Sequence, residues 1–231
     1  MTLRRDQSSL LVASLVSVVL WATPDLRLFA LPLIYLNTHI HELCHAVTAL
    51  VTGGHVEHIV VLADGSGSTP VMGGSLFLTA SAGYVGSAIV GGALLAFSRT
   101  AKQASSMIWL TFVFLVASLF LFVRGDLLGV GSGVFWILAL GVMAKKLTGQ
   151  NVVFAAQFLG IQLALTSLQA MLVLLKVTSA TETHSDAQIL QSVTGVPAMA
   201  WALGWSGLGL VVVATALVSA WKPSVRRTSD G

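Results

Sequence analysis

Seven apolar runs dominate the 231-residue chain, at residues 8–22, 28–51, 75–97, 105–123, 127–144, 152–177 and 196–221. About 20 mostly apolar residues in an α-helix match the hydrocarbon thickness of a bilayer, and a spanning segment must satisfy its own backbone hydrogen bonds. The sequence therefore predicts an all-α polytopic membrane protein with about 6–7 transmembrane helices. The run 8–22 is the weakest, being short and closed by Pro24. Charged residues make up 9% of the chain, against about a quarter in a soluble domain, which excludes a soluble helical fold. Arg4 and Arg5 ahead of a short apolar run have the look of a secretory signal. No small-residue cleavage site follows them, however, and more apolar segments do. No internal repeat or long disordered tail divides residues 1–231, which read as one integral membrane domain.

The stretch 53–74 breaks the pattern. HVEHIVVLA is β-branched, DGSGSTP is rich in turn residues, and a short apolar run follows, so a small β-hairpin or extended loop is expected here. A second polar stretch, 178–191, holds Glu182, His184 and Asp186. If all seven runs span, the N-terminus, residues 53–74, Arg124 to Asp126 and residues 178–191 share one face. Every histidine in the chain then lies on or toward that side. If the first run does not span, only the N-terminus changes sides. The opposite face carries most of the Lys and Arg, so the positive-inside rule puts the C-terminus in the cytoplasm. Basic residues scattered in pairs between apolar runs suit membrane topology and give no basis for a nucleic-acid partner. The single cysteine, Cys44, allows no intrachain disulfide.

Chemistry concentrates in the second run, at His41-Glu42-Leu43-Cys44-His45. On a helix, positions i and i+4 lie one turn apart on the same face, so His41 and His45 point two imidazoles at one place, as two ligands of a tetrahedral Zn²⁺ require. Glu42 sits on nearly the same turn, where it can take a proton from a metal-activated water and return it to the leaving amine. With six His and nine acids in 231 residues, three of those acids Glu, the pattern is expected by chance roughly 0.002 times. Polar groups in a lipid-spanning helix are also expensive unless they have a role. His39 faces away from His41, which suits packing, and Cys44 reads as a small packing residue. A catalytic zinc usually takes three protein ligands. Asp126, at the junction of two apolar runs on the expected site face, is the first choice for the third, with Asp186 and His184 as alternatives. Gly83, Ser87 and Gly91 recur every four residues and would seat their helix closely against the motif helix.

A membrane-embedded HExxH followed by a hairpin-like segment and a later Asp between apolar runs resembles the site-2 protease family of intramembrane zinc metalloproteases, in its small B-like subgroup. The resemblance rests on HELCHAVTALVTGGHVEHI (41–59), SAGYVGSAIVGGALL (81–95), RGDLLG (124–129) and SDAQILQSVTGVPAMAW (185–201). It implies a Zn²⁺ cofactor held by His41, His45 and Asp126, with Glu42 catalytic. It also implies an endopeptidase acting on membrane-embedded or membrane-adjacent peptides, which would add to the hairpin as a strand. Multi-pass residence in a bacterial cell membrane follows from the same likeness. Leu127 follows Asp126 where the family usually has Gly, Cys44 stands where it commonly has Gly, and no PDZ-like insert is present. A non-proteolytic scaffold or chaperone retaining the site, and an ion or proton transporter using the midplane His and Glu, are the competing classes. The few charges in the other runs disfavour the transporter.

Overall fold

The computed structural model describes residues 3–125, 127–177 and 185–222, apart from the side chains of 24, 27, 28 and 166–177. The elements run α1 (Arg5–Ala22), a 3-10 turn (Pro24–Leu26), α2 (Arg27–Val51), β1 (His55–Val56), β2 (Val60–Val61), β3 (Gly67–Ser68), β4 (Val71–Met72), α3 (Leu76–Ala96), α4 (Ala101–Leu121), α5 (Leu127–Lys146), α6 (Gly149–Val177), α7 (Asp186–Thr194) and α8 (Ala198–Trp221). The architecture is the helical, polytopic one that the apolar runs predict. By length and composition α3, α4, α5 and α8 can each cross a bilayer. The other three apolar runs form helices that carry larger polar side chains inward: Gln7 in α1, Asn37, His39, Glu42 and His45 in α2, Gln157 and Gln162 in α6.

Those inward polar groups dock the helices on one another. Trp21 Nε1 donates to Gln162 Oε1 at 2.7 Å, Gln162 Nε2 donates to Ser17 Oγ at 2.9 Å, and Asn37 Nδ2 reaches the Gln162 carbonyl at 3.3 Å. Trp136 Nε1 ties α5 to the Pro32 carbonyl of α2 at 2.6 Å. A Cβ on Gly91 would lie 2.6 Å from the Gly160 carbonyl oxygen, so α3 and α6 meet backbone to backbone. This amends the expected role of the four-residue repeat on α3. Gly83 does face the motif helix, whereas Gly91 faces α6.

The N-terminus lies at the end of the bundle away from the site. Arg4 Nη2 donates to the carbonyls of Trp221 and Lys222 at 2.9 and 3.1 Å, and Gln150 Nε2 donates to the Arg5 carbonyl at 2.8 Å. Arg99 also donates to the Lys222 carbonyl. Thus α1 and α2 together make one net crossing, and the placement that follows if all seven runs span does not hold. The physical reason is length: α1 has 18 residues, opens on Arg5, Asp6 and Gln7, and closes at a Thr-Pro turn. Arg4 and Arg5 therefore join Arg99, Lys102, Lys145, Lys146 and Lys222 at the far end.

Residues 55–72 form the expected hairpin, in two short antiparallel pieces. His55 pairs with Met72 and Val56 with Val71, then Val60 with Ser68 and Val61 with Gly67. Between the pieces Ile59 turns to the α4–α5 junction: its N–H donates to the Phe122 carbonyl at 2.9 Å, and its carbonyl accepts from Arg124 N at 2.8 Å. The hairpin folds back along α2. Tyr35 Oη donates to the Ala63 carbonyl at 2.8 Å, and the Thr38 hydroxyl bonds the Gly65 carbonyl at 2.6 Å. Tyr35, Thr38 and Glu42 are spaced i, i+3, i+7, one stripe of the helix, and that stripe receives the hairpin. Gly65 closes the tip at φ +88, a left-handed conformation that costs glycine nothing.

Gly91→Val should force α3 and α6 apart and cost about 1–3 kcal/mol. Thermal unfolding in detergent is expected to show a lowered midpoint. Gly204→Ala, inside α8 where an added Cβ meets nothing within 4 Å, should not lower it.

Candidate metal centre

The HELCH turn lies in the second half of α2 and brings two imidazole donors together with a carboxylate far away in sequence. His41 Nε2 and His45 Nε2 each stand 3.3 Å from Asp186 Oδ2. Two ligands bonded to a tetrahedral zinc at about 2.0–2.1 Å are separated by about 3.3–3.4 Å, so both nitrogen–oxygen distances match an edge of that tetrahedron. All three donor atoms lie within 4.8 Å of one another, and they are the group among the described residues that could hold a metal ion. His45 Nδ1 lies 2.6 Å from the Thr79 carbonyl. Its N–H donates there, which leaves the Nε2 lone pair facing Asp186, as in metal sites where a carbonyl fixes the ligand tautomer.

The neighbouring helices make room for this cluster. A Cβ on Gly83 would overlap the Nε2 atoms of both His41 and His45. Tyr84, the next residue, sets its ring edge-on to His41 with centroids 4.5 Å apart and stacks on Trp205 at 5.5 Å. Asp186 is delivered by α7, a helix too short to span. Ser185 is its N-cap, with Ser185 Oγ accepting from Gln188 N at 3.3 Å and Ser185 N donating to Gln188 Oε1 at 3.0 Å. That frees Asp186 from capping. Ala187 and Leu190, both buried, pack with Ala80, Ala202 and Trp205 and seat α7 between α3 and α8. Burial would raise the Asp186 carboxyl, but hydrogen bonds and charge from His41 and His45 outweigh it and hold the group well below the usual carboxylate range.

The remaining residues of the motif helix have separate partners. Glu42 is buried and turns toward the hairpin, where its Oε2 accepts from the Thr69 hydroxyl at 2.7 Å. His39 is buried against α5 with Nε2 3.0 Å from Ser132 Oγ, the packing role its helix face predicts. Cys44 packs its Sγ against Gly86, which has no side chain to obstruct it. It also floors an apolar groove of about 540 Å³ with Ile40, Val47, Met107 and Phe114. Asp126 and His184 lie outside the described residues. Arg124 donates to the carbonyls of Val123 and Leu121 at 2.7 and 3.2 Å. Thr69, Thr79 and Tyr84 carry no local signal of a role at the site: Thr69 is one of several hydroxyls in a turn-rich stretch, and Thr79 and Tyr84 lie in a run of small and apolar residues.

A helical membrane bundle whose HExxH turn is completed by a remote carboxylate falls in the class of membrane metallopeptidases. The Peptidase M50B-like family model matches residues 10–216, and the chain belongs to that family, a site-2 protease family. Comparison with curated proteins and with solved structures returns no match.

Gly83→Ala pushes a methyl group between the two imidazoles. Its expected effect is a drop in metal affinity of about 10–100-fold, the scale of losses on disturbing the residues that orient metal ligands, read by chelator competition on detergent-purified protein.

Proposed function

We propose that this protein is a zinc-dependent intramembrane endopeptidase, with His41, His45 and Asp186 as the metal ligands and Glu42 as the general base. The observation that carries the reading is the pair of 3.3 Å separations from Asp186 to the two imidazole nitrogens, one residue away from a buried Glu42. Two imidazoles and one carboxylate, with the fourth position open, are a donor set that suits catalytic zinc. Zinc held there would polarise both a water molecule and the scissile carbonyl. Glu42 takes the proton from the attacking water and gives it to the departing amine, so the peptide C–N bond breaks with no net change at the carboxylate. His45, fixed by the Thr79 carbonyl, keeps its Nε2 aimed inward throughout. Asp186 is preferred over Asp126 because its oxygen already stands at ligand spacing from both imidazoles.

The substrate is a membrane-embedded or membrane-adjacent peptide. An intact helix hides its scissile carbonyl in the helix ladder, so the segment must be extended when cut, and the hairpin beside Glu42 offers strand edges for it to join. The basic residues gathered at the far end put that end in the cytoplasm by the positive-inside rule and the site toward the other side.

Elemental analysis of purified protein should find about one zinc per chain. Asp186→Ala should lose it, whereas Asp126→Ala should keep it. Glu42→Gln should retain zinc and cut cleavage of a membrane substrate at least about 100-fold, the usual scale for removing a general base. A Glu42→Gln protein that keeps its cellular phenotype would instead mark a scaffold that retains the site.

A further inference from the structure

Resting on that peptidase reading, we infer that Thr69 is a positioning residue for Glu42: it fixes one carboxylate oxygen from the hairpin, where Gly67 has no side chain to clash with the other. A buried carboxylate needs donors to hold it in one orientation. Among the described residues, the side-chain hydrogen bond made by Glu42 is the one from Thr69, at 2.7 Å to Oε2; the Thr69 hydroxyl also lies 3.2 Å from the Glu42 carbonyl. With one proton to give, the hydroxyl donates to the closer, charged oxygen.

The backbone around Thr69 fixes where that hydroxyl points. Thr69 sits between the two paired pieces of the hairpin. On one side Val60 pairs with Ser68, and on the other the Pro70 carbonyl accepts from Glu57 N at 3.1 Å. The hairpin also packs closely on the second carboxylate oxygen: a Cβ on Gly67 would lie 2.6 Å from Glu42 Oε1 and 2.7 Å from Thr38 Cγ2, so glycine there lets the carboxylate fit beside the strand. Oε2 is held by Thr69, and Oε1 is the oxygen that takes the proton from water. Thr69 neither gains nor loses a proton in the reaction; it sets the direction in which Glu42 acts. Any displacement of the hairpin by an incoming strand is thereby felt at the base.

The test uses the full-length, zinc-loaded protein in detergent and a leucine peptide hydroxamate. Such a probe chelates the metal and gives its acidic proton to the adjacent carboxylate, so its affinity reads the placement of Glu42 without a known substrate. Thr69→Val and Thr69→Ala should weaken the probe about 10-fold, the effect of one hydrogen bond to a charged group, with zinc content unchanged. Thr69→Ser should stay within about 2-fold of wild type, because the donor is restored. In a Glu42→Gln background Thr69→Val should change nothing further. Wild-type affinity in Thr69→Val and Thr69→Ala overturns the positioning role. So does an equal loss in the Glu42→Gln background, which would mean that the hairpin merely packs. A wild-type protein that takes up neither zinc nor hydroxamate fails at the metal centre itself, and the positioning role falls with it.

Discussion

The structure depends on one constraint: a helix that carries Tyr35, Asn37, Thr38, His39, His41, Glu42 and His45 through a membrane protein must find partners for these side chains. The fold is arranged around α2 to supply them. The hairpin takes the stripe of Tyr35, Thr38 and Glu42. The α6 backbone takes Asn37, and Ser132 of α5 takes His39. The Thr79 carbonyl and Asp186 take the two motif histidines. The hairpin is docked on α2 through one side only: Val56, Ile59 and Val61 are buried, while His55, Glu57, Leu62, Asp64, Ser66 and Ser68 stay exposed.

Small residues on α3 make the arrangement possible from the other side. Gly83 gives space to the imidazoles, Gly86 to Cys44, and Gly91 to the backbone of α6. Gly86 has no side chain to obstruct Cys44, so α2 and α3 pack closely there. A Cβ at Gly83 would strike the imidazoles, at Gly86 the Cys44 side chain, and at Gly91 the α6 backbone.

Much of this was legible in the sequence. Apolar runs of membrane-spanning length, the i, i+4 histidines and the β-branched hairpin are local patterns, and local patterns set local structure. The far-end position of Arg4 was not legible, because it turns on whether an 18-residue helix completes a crossing, which hydrogen bonds to α6 and α8 decide. The third donor is not set by a local pattern: the sequence offers Asp126 first, with Asp186 and His184 as alternatives. Ser185 and Gln188 spell a capping box in the sequence, and that box implies a helix starting at Asp186. Nothing local says that this helix will wedge between α3 and α8 and aim its first side chain at α2. Only the packing of Ala187 and Leu190 against Ala80, Ala202 and Trp205 does so. Thr69 was hidden for the same reason, since its partner lies 27 positions away across a turn of the chain.

The central claim is that α2 and α7 jointly build one metal site. Anomalous diffraction at the zinc edge from zinc-loaded crystals tests it most directly. The account predicts one strong peak bounded by His41 Nε2, His45 Nε2 and a carboxylate oxygen of Asp186, at about 2.0–2.2 Å from each. A peak coordinated by the two histidines and Asp126, with Asp186 turned away, would contradict it, as would a peak that touches neither histidine.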